Sequence, residues 1–295
     1  MQRQILAVIE LIFAGVLWGF GFIASVWCLQ SFSPLSLTTT RFAIASAVGL
    51  LILLIPRVRE GIGNRDFWTA AIPGFMLSAT LILQTWGLKY TTATKSGFIT
   101  TLYVMLVPVF EMFFMKRKLH FMHAPLVFLA LVGTAMIVDL KWDGFNLGDL
   151  LTLICAFTAA LHIFYLGIVS PKIKNSFAFN TFQSIWASLL ALGCIPFFEG
   201  PHFKGMIPQA WIGLTSLAFG STLIGFYLQV KAQRILSPSL SSLLFLLESP
   251  FAMIFAILIL HEALVGFQFV GAVIIFASAI CATVLESQKK TVSDQ

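Results

Sequence analysis

Ten apolar stretches follow one another along this chain, each close to the roughly 20 residues that a helix needs to cross the hydrocarbon core of a bilayer. They occupy residues 5–27, 34–55, 67–88, 96–115, 121–139, 148–170, 177–198, 208–230, 238–260 and 264–285, and are numbered spans 1 to 10. The connectors are brief and rich in Pro, Gly, Asn or charge, as at Ser33-Pro34, Arg57 to Arg65 and Ser170 to Asn175. None is long enough to be an independent domain. The runs are continuous and do not alternate, which excludes a β-barrel. In lipid the backbone must satisfy its own polar groups, so such runs form helices. The expected fold is an all-α integral membrane protein with ten transmembrane helices. The charged fraction agrees, at 10% where a soluble domain carries about 25%.

The net charge of +6 is a topology signal and not a nucleic-acid footprint, because Lys and Arg sit in short clusters between the apolar runs. With the N-terminus inside, thirteen of them fall on the cytoplasmic side; Lys89, Lys95, Lys141 and Lys204 fall on the other, and Arg41 stays within span 2. That bias places both termini in the cytoplasm. The run after Arg3 is too long for a signal-peptide core and lacks a small-x-small cleavage site, so it reads as a retained span. Cys28, Cys155, Cys194 and Cys281 stand singly, with no CxxC or Cys/His spacing, so neither a metal site nor a disulfide framework is expected.

One shape is written twice. Leu83 to Phe110 and Leu228 to Phe251 both end one apolar run, turn, and enter another that carries a proline. Leu83-Gln84 aligns with Leu228-Gln229, Lys89 with Arg234, and Pro108 with Pro250 after three extra residues in the first copy. Five spans per half make the second half enter the membrane from the opposite side. The expected architecture is therefore two inverted five-helix repeats around a central cavity, residues 1–140 and 141–295, the geometry that supports alternating access.

Further motifs lie in register with these halves. Span 1 carries Trp18-Gly19, and Ser33-Pro34 and Arg41-Phe42 mark span 2. Gln84, Gly87-Leu88, Tyr90-Thr91, Ala93 and Val107-Pro108 follow. The second half has Gly148-Asp149-Leu150, Glu248, Pro250 and Leu260-x-Glu262. On these residues the chain resembles the drug/metabolite transporter superfamily, in particular its EamA-type ten-helix exporters. The stretch TTATKSGFITTLYVMLVPV is most similar to the branch that contains aromatic amino-acid exporters of the YddG type. One departure is Lys118-Leu119-His120, where that family often ends span 4 with Glu. The resemblance implies spans 1, 3, 4, 6, 8 and 9 around the cavity, spans 5 and 10 at the periphery, and export of amino acids or related metabolites.

Ionisable groups inside spans are costly and default to functional roles. Arg41 is a candidate for a substrate or gating contact, against snorkelling to the interface. Glu248, two residues before Pro250, is a candidate for coupling, against a satisfied packing role. Glu10 and Glu111 read as interfacial. His162 and Tyr165 are three apart and share a helical face. With Gln84, Tyr103, Tyr227 and the mid-span Trp18 they are the candidate substrate-binding residues, since each offers a polar or stacking group from an apolar wall.

No catalytic constellation, nucleotide-binding loop or cofactor motif is present in the sequence, so an enzyme is not expected. The expected function is a secondary transporter that exports small metabolites, most simply amino acids and aromatic ones among them, by alternating access. A flippase or scramblase of an amphiphile on the same fold is the alternative. The expected partners are the soluble small molecule and the lipid bilayer, with the chain a monomer or weak homodimer in a bacterial inner membrane.

Overall fold

A computed structural model describes residues 2–91, 93–116, 123–137, 144–199, 205, 207–260 and 266–293, and every regular element among them is helical. Span 1 is Gln2–Leu29, span 2 Pro34–Ile52, span 5 His123–Ile137, span 6 Leu147–Val169, span 7 Ser176–Phe198 and span 10 Gly266–Ser293. The other four are interrupted. Span 3 is Asp66–Thr69 followed by Ala71–Gly87, and span 4 is Ala93–Thr101 followed by Tyr103–Met115. Span 8 runs Pro208–Thr215, then Ser216–Gly225 with π-helical hydrogen bonding, then Phe226–Ala232. Span 9 is Pro238–Phe245 followed by Glu248–Leu260. The Lys118-Leu119-His120 departure, Trp142, Lys204 and Glu262 lie outside the described residues.

Local chemistry explains the ends. Ser33 accepts the backbone N–H of Ser36 and Pro34 opens span 2. Ser237 and Pro238 do the same for span 9, with Leu240 N–H as the donor. Both use the preference for a hydroxyl cap followed by a proline whose missing N–H is of no consequence there. Asn146 and Asp149 form a reciprocal capping box at the start of span 6. Pro73 and Pro250 each stand third in a half-helix, Ala71–Gly87 and Glu248–Leu260, so the chain breaks one turn before each proline. Pro108 and Pro196, by contrast, sit inside helices that continue past them.

The packing repeats under a two-fold relation. Span 1 packs on span 8 as span 6 packs on span 3, and span 1 meets span 9 as span 6 meets span 4. Spans 2 and 7 cross each other, as do spans 5 and 10. At the latter crossing Gly133 and Gly271 face one another; a Cβ on Gly133 would sit 2.7 Å from Gly271 O, and one on Gly271 2.5 Å from Gly133 O. Only glycine permits backbones so close. Spans 2 and 7 are tied at both ends, by Leu35 N–H donating to Glu199 Oε2 (3.1 Å) and by Asn175 Nδ2 donating to the carbonyls of Val58 (2.7 Å) and Glu60 (2.8 Å).

The distribution of residue types is that of a protein dissolved in lipid. Large apolar side chains such as Leu54, Phe113, Phe128 and Phe197 are exposed on the outside, while Asn180, Thr181, Gln183 and Ser184 of span 7 are buried. Some buried polar side chains find partners within and between helices: Gln183 Nε2 donates to Asn180 Oδ1 of the same span at 2.8 Å, and Asn180 Nδ2 reaches carbonyls of span 8.

Candidate substrate cavity

The interrupted helices border a cavity that is partly open to solvent, with about 1020 Å³ of atom-free space when that opening is included. Seven spans line it. Spans 1, 3, 4, 6, 8 and 9 are joined by span 2, which contributes Leu37, Thr38 and Arg41 and which the family resemblance had not placed at the cavity. The walls are aromatic and aliphatic, from Phe22, Leu77, Leu81, Phe226 and Phe245. Against them stand a few polar groups: Arg41, Gln84, Tyr103, His162, Gln229 and Glu248.

Trp18 lies on the same wall, where its Nε1 donates to Ser221 O at 3.1 Å. Its ring packs between Phe226 (centroids 5.2 Å apart) and Phe245 (5.0 Å). Arg41 is 7% exposed and donates from Nε to Thr222 Oγ1 at 3.0 Å. Gln84 Nε2 reaches Thr100 Oγ1 at 3.5 Å, joining spans 3 and 4. Tyr103 Oη and His162 Nε2 are buried and have no hydrogen-bond partner among the described residues. Neither Arg41 nor Glu248 makes an ion pair among the described residues.

Two of the expected residues are elsewhere. Tyr165 is turned away from the cavity onto a cluster that includes Phe179, Phe182 and Trp186. Sharing a face with His162 at three-residue spacing still leaves the two side chains about 60° apart around the helix, enough to put one on the cavity and the other on span 7. Tyr227 follows the cavity-lining Phe226 by one residue, about 100° around the axis, and packs edge-on against Phe177 at 5.7 Å, beside Lys231. Glu10 and Glu111, which read as interfacial, each meet a partner in the second half of the chain. Glu10 is buried and pairs with Lys231 across spans 1 and 8. Glu111 is 2% exposed and accepts from both the backbone N–H (3.0 Å) and the hydroxyl of Ser239, so a carboxylate of the first repeat caps the first half of span 9 in the second.

Gln229 is the cavity residue that was not anticipated, although its alignment with Gln84 pointed to it. The interval from Gln84 to Gln229 equals that from Tyr103 to Glu248. All four line the cavity, and Tyr103 and Glu248 are each the first residue of the second half of a broken span. The duplicated halves thus place matching positions on opposite walls.

The cavity lining is drawn mostly from the halves of spans 1 to 3 that lie away from the chain termini. Phe22, Ser25, Leu37 and Leu88 line it towards the end away from the chain termini. Nearer the end that bears the termini, several contacts hold the helices together, among them Glu10–Lys231, Glu111–Ser239, and Gln233 Nε2 to Ile163 O at 2.9 Å. Pro238 of span 9 packs so tightly on Gly167 of span 6 that a Cβ there would lie 2.2 Å from the proline ring.

Two successive stretches, residues 5–139 and 146–284, match the model of the EamA-like transporter family. The chain belongs to the EamA-like transporter family. An uncharacterized transporter of Archaeoglobus fulgidus is 30% identical over 279 residues, covering 94% of this chain and 86% of the relative. The uncharacterized transporter YetK of Bacillus subtilis is 25% identical over 264 residues, 84% of this chain and 78% of YetK. A protein of known crystal structure superposes with a TM-score of 0.76 at 19% identity, covering 95% of this chain and 98% of that one; at that identity the likeness is one of fold. This EamA-like protein is accordingly a multi-pass membrane transporter for a small molecule.

Proposed function

We propose that this protein is a secondary transporter that exports amino acids, aromatic ones among them, by alternating access. The observation that carries this reading is the presence of a basic and an acidic side chain in one cavity. A guanidinium, Arg41, and a carboxylate, Glu248, face the same aromatic-walled space, and neither has an ion-pair partner among the described residues. Unpaired charges away from water are costly. A zwitterion with an apolar or aromatic side chain relieves both at once, and its side chain suits walls made of Phe22, Phe226 and Phe245. An amphiphile with a long acyl chain would call for a cleft that faces lipid, and the lining here instead comes from seven spans.

Both termini are assigned to the cytoplasm on the Lys and Arg distribution, so the cavity faces outward in this conformation. Export then alternates this state with one in which the terminal-end contacts, Glu10–Lys231 and Glu111–Ser239, have parted. Glu248 is assigned a coupling role as the carboxylate beside the break in span 9.

The test is efflux from proteoliposomes loaded with an amino-acid mixture and followed by mass spectrometry, with and without an imposed pH gradient. Selective efflux of a few amino acids over protein-free vesicles is expected. Leakage equal to empty vesicles from demonstrably folded protein would end the amino-acid reading. Unchanged flux and unchanged pH dependence in Glu248→Gln would remove the coupling role.

A further inference from the structure

Span 8 leaves α geometry over Ser216–Gly225, and several neighbours bind what that departure exposes. A π turn re-aims side chains and carbonyls relative to the α register and recurs at functional sites. Thr222 donates its hydroxyl hydrogen to Leu217 O, five residues earlier, at 2.8 Å. Its oxygen accepts from Arg41 Nε at 3.0 Å. Asn180 of span 7 clamps the same turn through the carbonyls of Thr222 (3.2 Å) and Leu223 (3.0 Å), and Trp18 holds Ser221 O. The acceptor that fixes Arg41 is therefore itself fixed on both sides.

A guanidinium carries five N–H donors in a rigid fork. The bond to Thr222 uses one, and it uses Nε, so the outer nitrogens stay available to the cavity that Arg41 lines. The group that best relieves a buried guanidinium is a planar oxyanion meeting the fork with two parallel bonds. Arg41 is the one Lys or Arg among the described residues that line the cavity, so only one negative charge on a ligand finds a fixed cation there.

We propose that Arg41 is the seat of a substrate carboxylate, and that Thr222 is the positioning residue that turns the guanidinium fork into the cavity through the π-helical turn of span 8. For transport this deepens the amino-acid reading and rests on it; for binding it stands alone. A monoanionic carboxylate is accepted, and a neutral amide or a dianionic phosphate of the same shape is not.

The experiment measures the heat stability of the purified protein against sodium benzoate, benzamide and phenyl phosphate as probes, in wild type, Thr222→Ser and Thr222→Val. Benzoate is expected to stabilise wild type and Thr222→Ser at lower concentration than the other two probes. Thr222→Val is expected to weaken benzoate binding about tenfold, the scale of one lost hydrogen bond to a charged group, with benzamide unaffected. Should the valine variant not fold, Arg41→Lys carries the same test, because it keeps the charge and loses the Nε donor. Equal stabilisation of wild type by benzoate and benzamide overturns the proposal, and so does full benzoate affinity in Thr222→Val or Arg41→Lys. Benzoate preference without amino-acid flux would keep the carboxylate seat and end the exporter reading; amino-acid flux without benzoate preference would do the reverse.

Discussion

Trp18 of span 1 donates its indole N–H to the carbonyl of Ser221 in span 8, and Ser221 returns its hydroxyl to the carbonyl of Leu17 at 3.2 Å. Two side chains thus stitch one helix of each repeat together at the cavity wall. The stitch depends on Gly225, where a Cβ would lie 2.8 Å from Trp18 Nε1.

Gly225→Ala is therefore expected to push the indole out of its seat between Phe226 and Phe245. Trp18→Phe keeps an aromatic ring but gives up the bond to Ser221, worth about 1 kcal/mol of stability. Both variants should bind substrate several-fold more weakly, with Gly225→Ala the more severe; equilibrium binding of the transported small molecule is the measurement.

Glycine contacts inside and outside the site separate stability from function. A Cβ on Gly19 would lie 2.8 Å from Ala252 N and 2.9 Å from Glu248 O, both backbone atoms that cannot step aside. Gly19→Ala forces spans 1 and 9 apart at the cavity, and a cost of about 1–3 kcal/mol is expected for such overpacking. Gly133→Ala meets a comparable obstacle at the crossing of spans 5 and 10. Thermal unfolding should show losses in both. Flux per folded molecule should fall only for Gly19→Ala, and an equal fall in the two would place the effect in general packing.

Glu111→Gln weakens the cap on Ser239 that holds spans 4 and 9 together at the terminal end. Hydrogen bonds to a charged group contribute about 1.5–3 kcal/mol, enough to shift a two-state equilibrium by tenfold or more. A reporter cysteine replacing the cavity-lining Ala159, in a background without the four native cysteines, should become more reactive to an impermeant thiol reagent applied from the terminal side. No gain in reactivity would show that Glu111 is not a latch.

Gln84 and Gln229 hold matching positions in the two repeats. Gln229 Nε2 bonds Gln233 Oε1 at 3.2 Å, and Gln233 goes on to span 6, while Gln84 bonds Thr100 of span 4. Gln84→Leu and Gln229→Leu should each cut flux several-fold. The two should differ in sidedness, seen as opposite shifts in the half-saturating concentration measured from the two faces of the membrane.

Much of the fold was legible because hydropathy is counted over twenty residues at a time. A stretch such as 177–198 is recovered as Ser176–Phe198, whatever its side chains do. Proline alone did not locate the breaks: Pro73 and Pro250 follow one by a turn, while Pro108 and Pro196 lie inside helices that continue past them. Rotation about each helix axis was not legible, because a run that is apolar all round has no periodicity to mark its inner face. Tyr165 and Tyr227 were lost to that ambiguity, each by a fraction of a turn. The partners of Glu10 and Glu111 were not legible for a related reason: nothing local in the sequence names Lys231 or Ser239, which come from the other repeat. The π-helical turn of span 8 left no mark that pattern reading uses, and with it the partner of Arg41 went unseen.

That turn has a consequence for how a duplicated protein handles an asymmetric cargo. Its counterpart in the first repeat, Ala71–Gly87 of span 3, is ordinary α-helix. Two identical halves would present the same face to a molecule entering head-first or tail-first, and an amino acid would have no preferred way to lie. One local irregularity, present in a single copy, removes that degeneracy: the chamber acquires a north and a south, and the traveller inside it a compass heading.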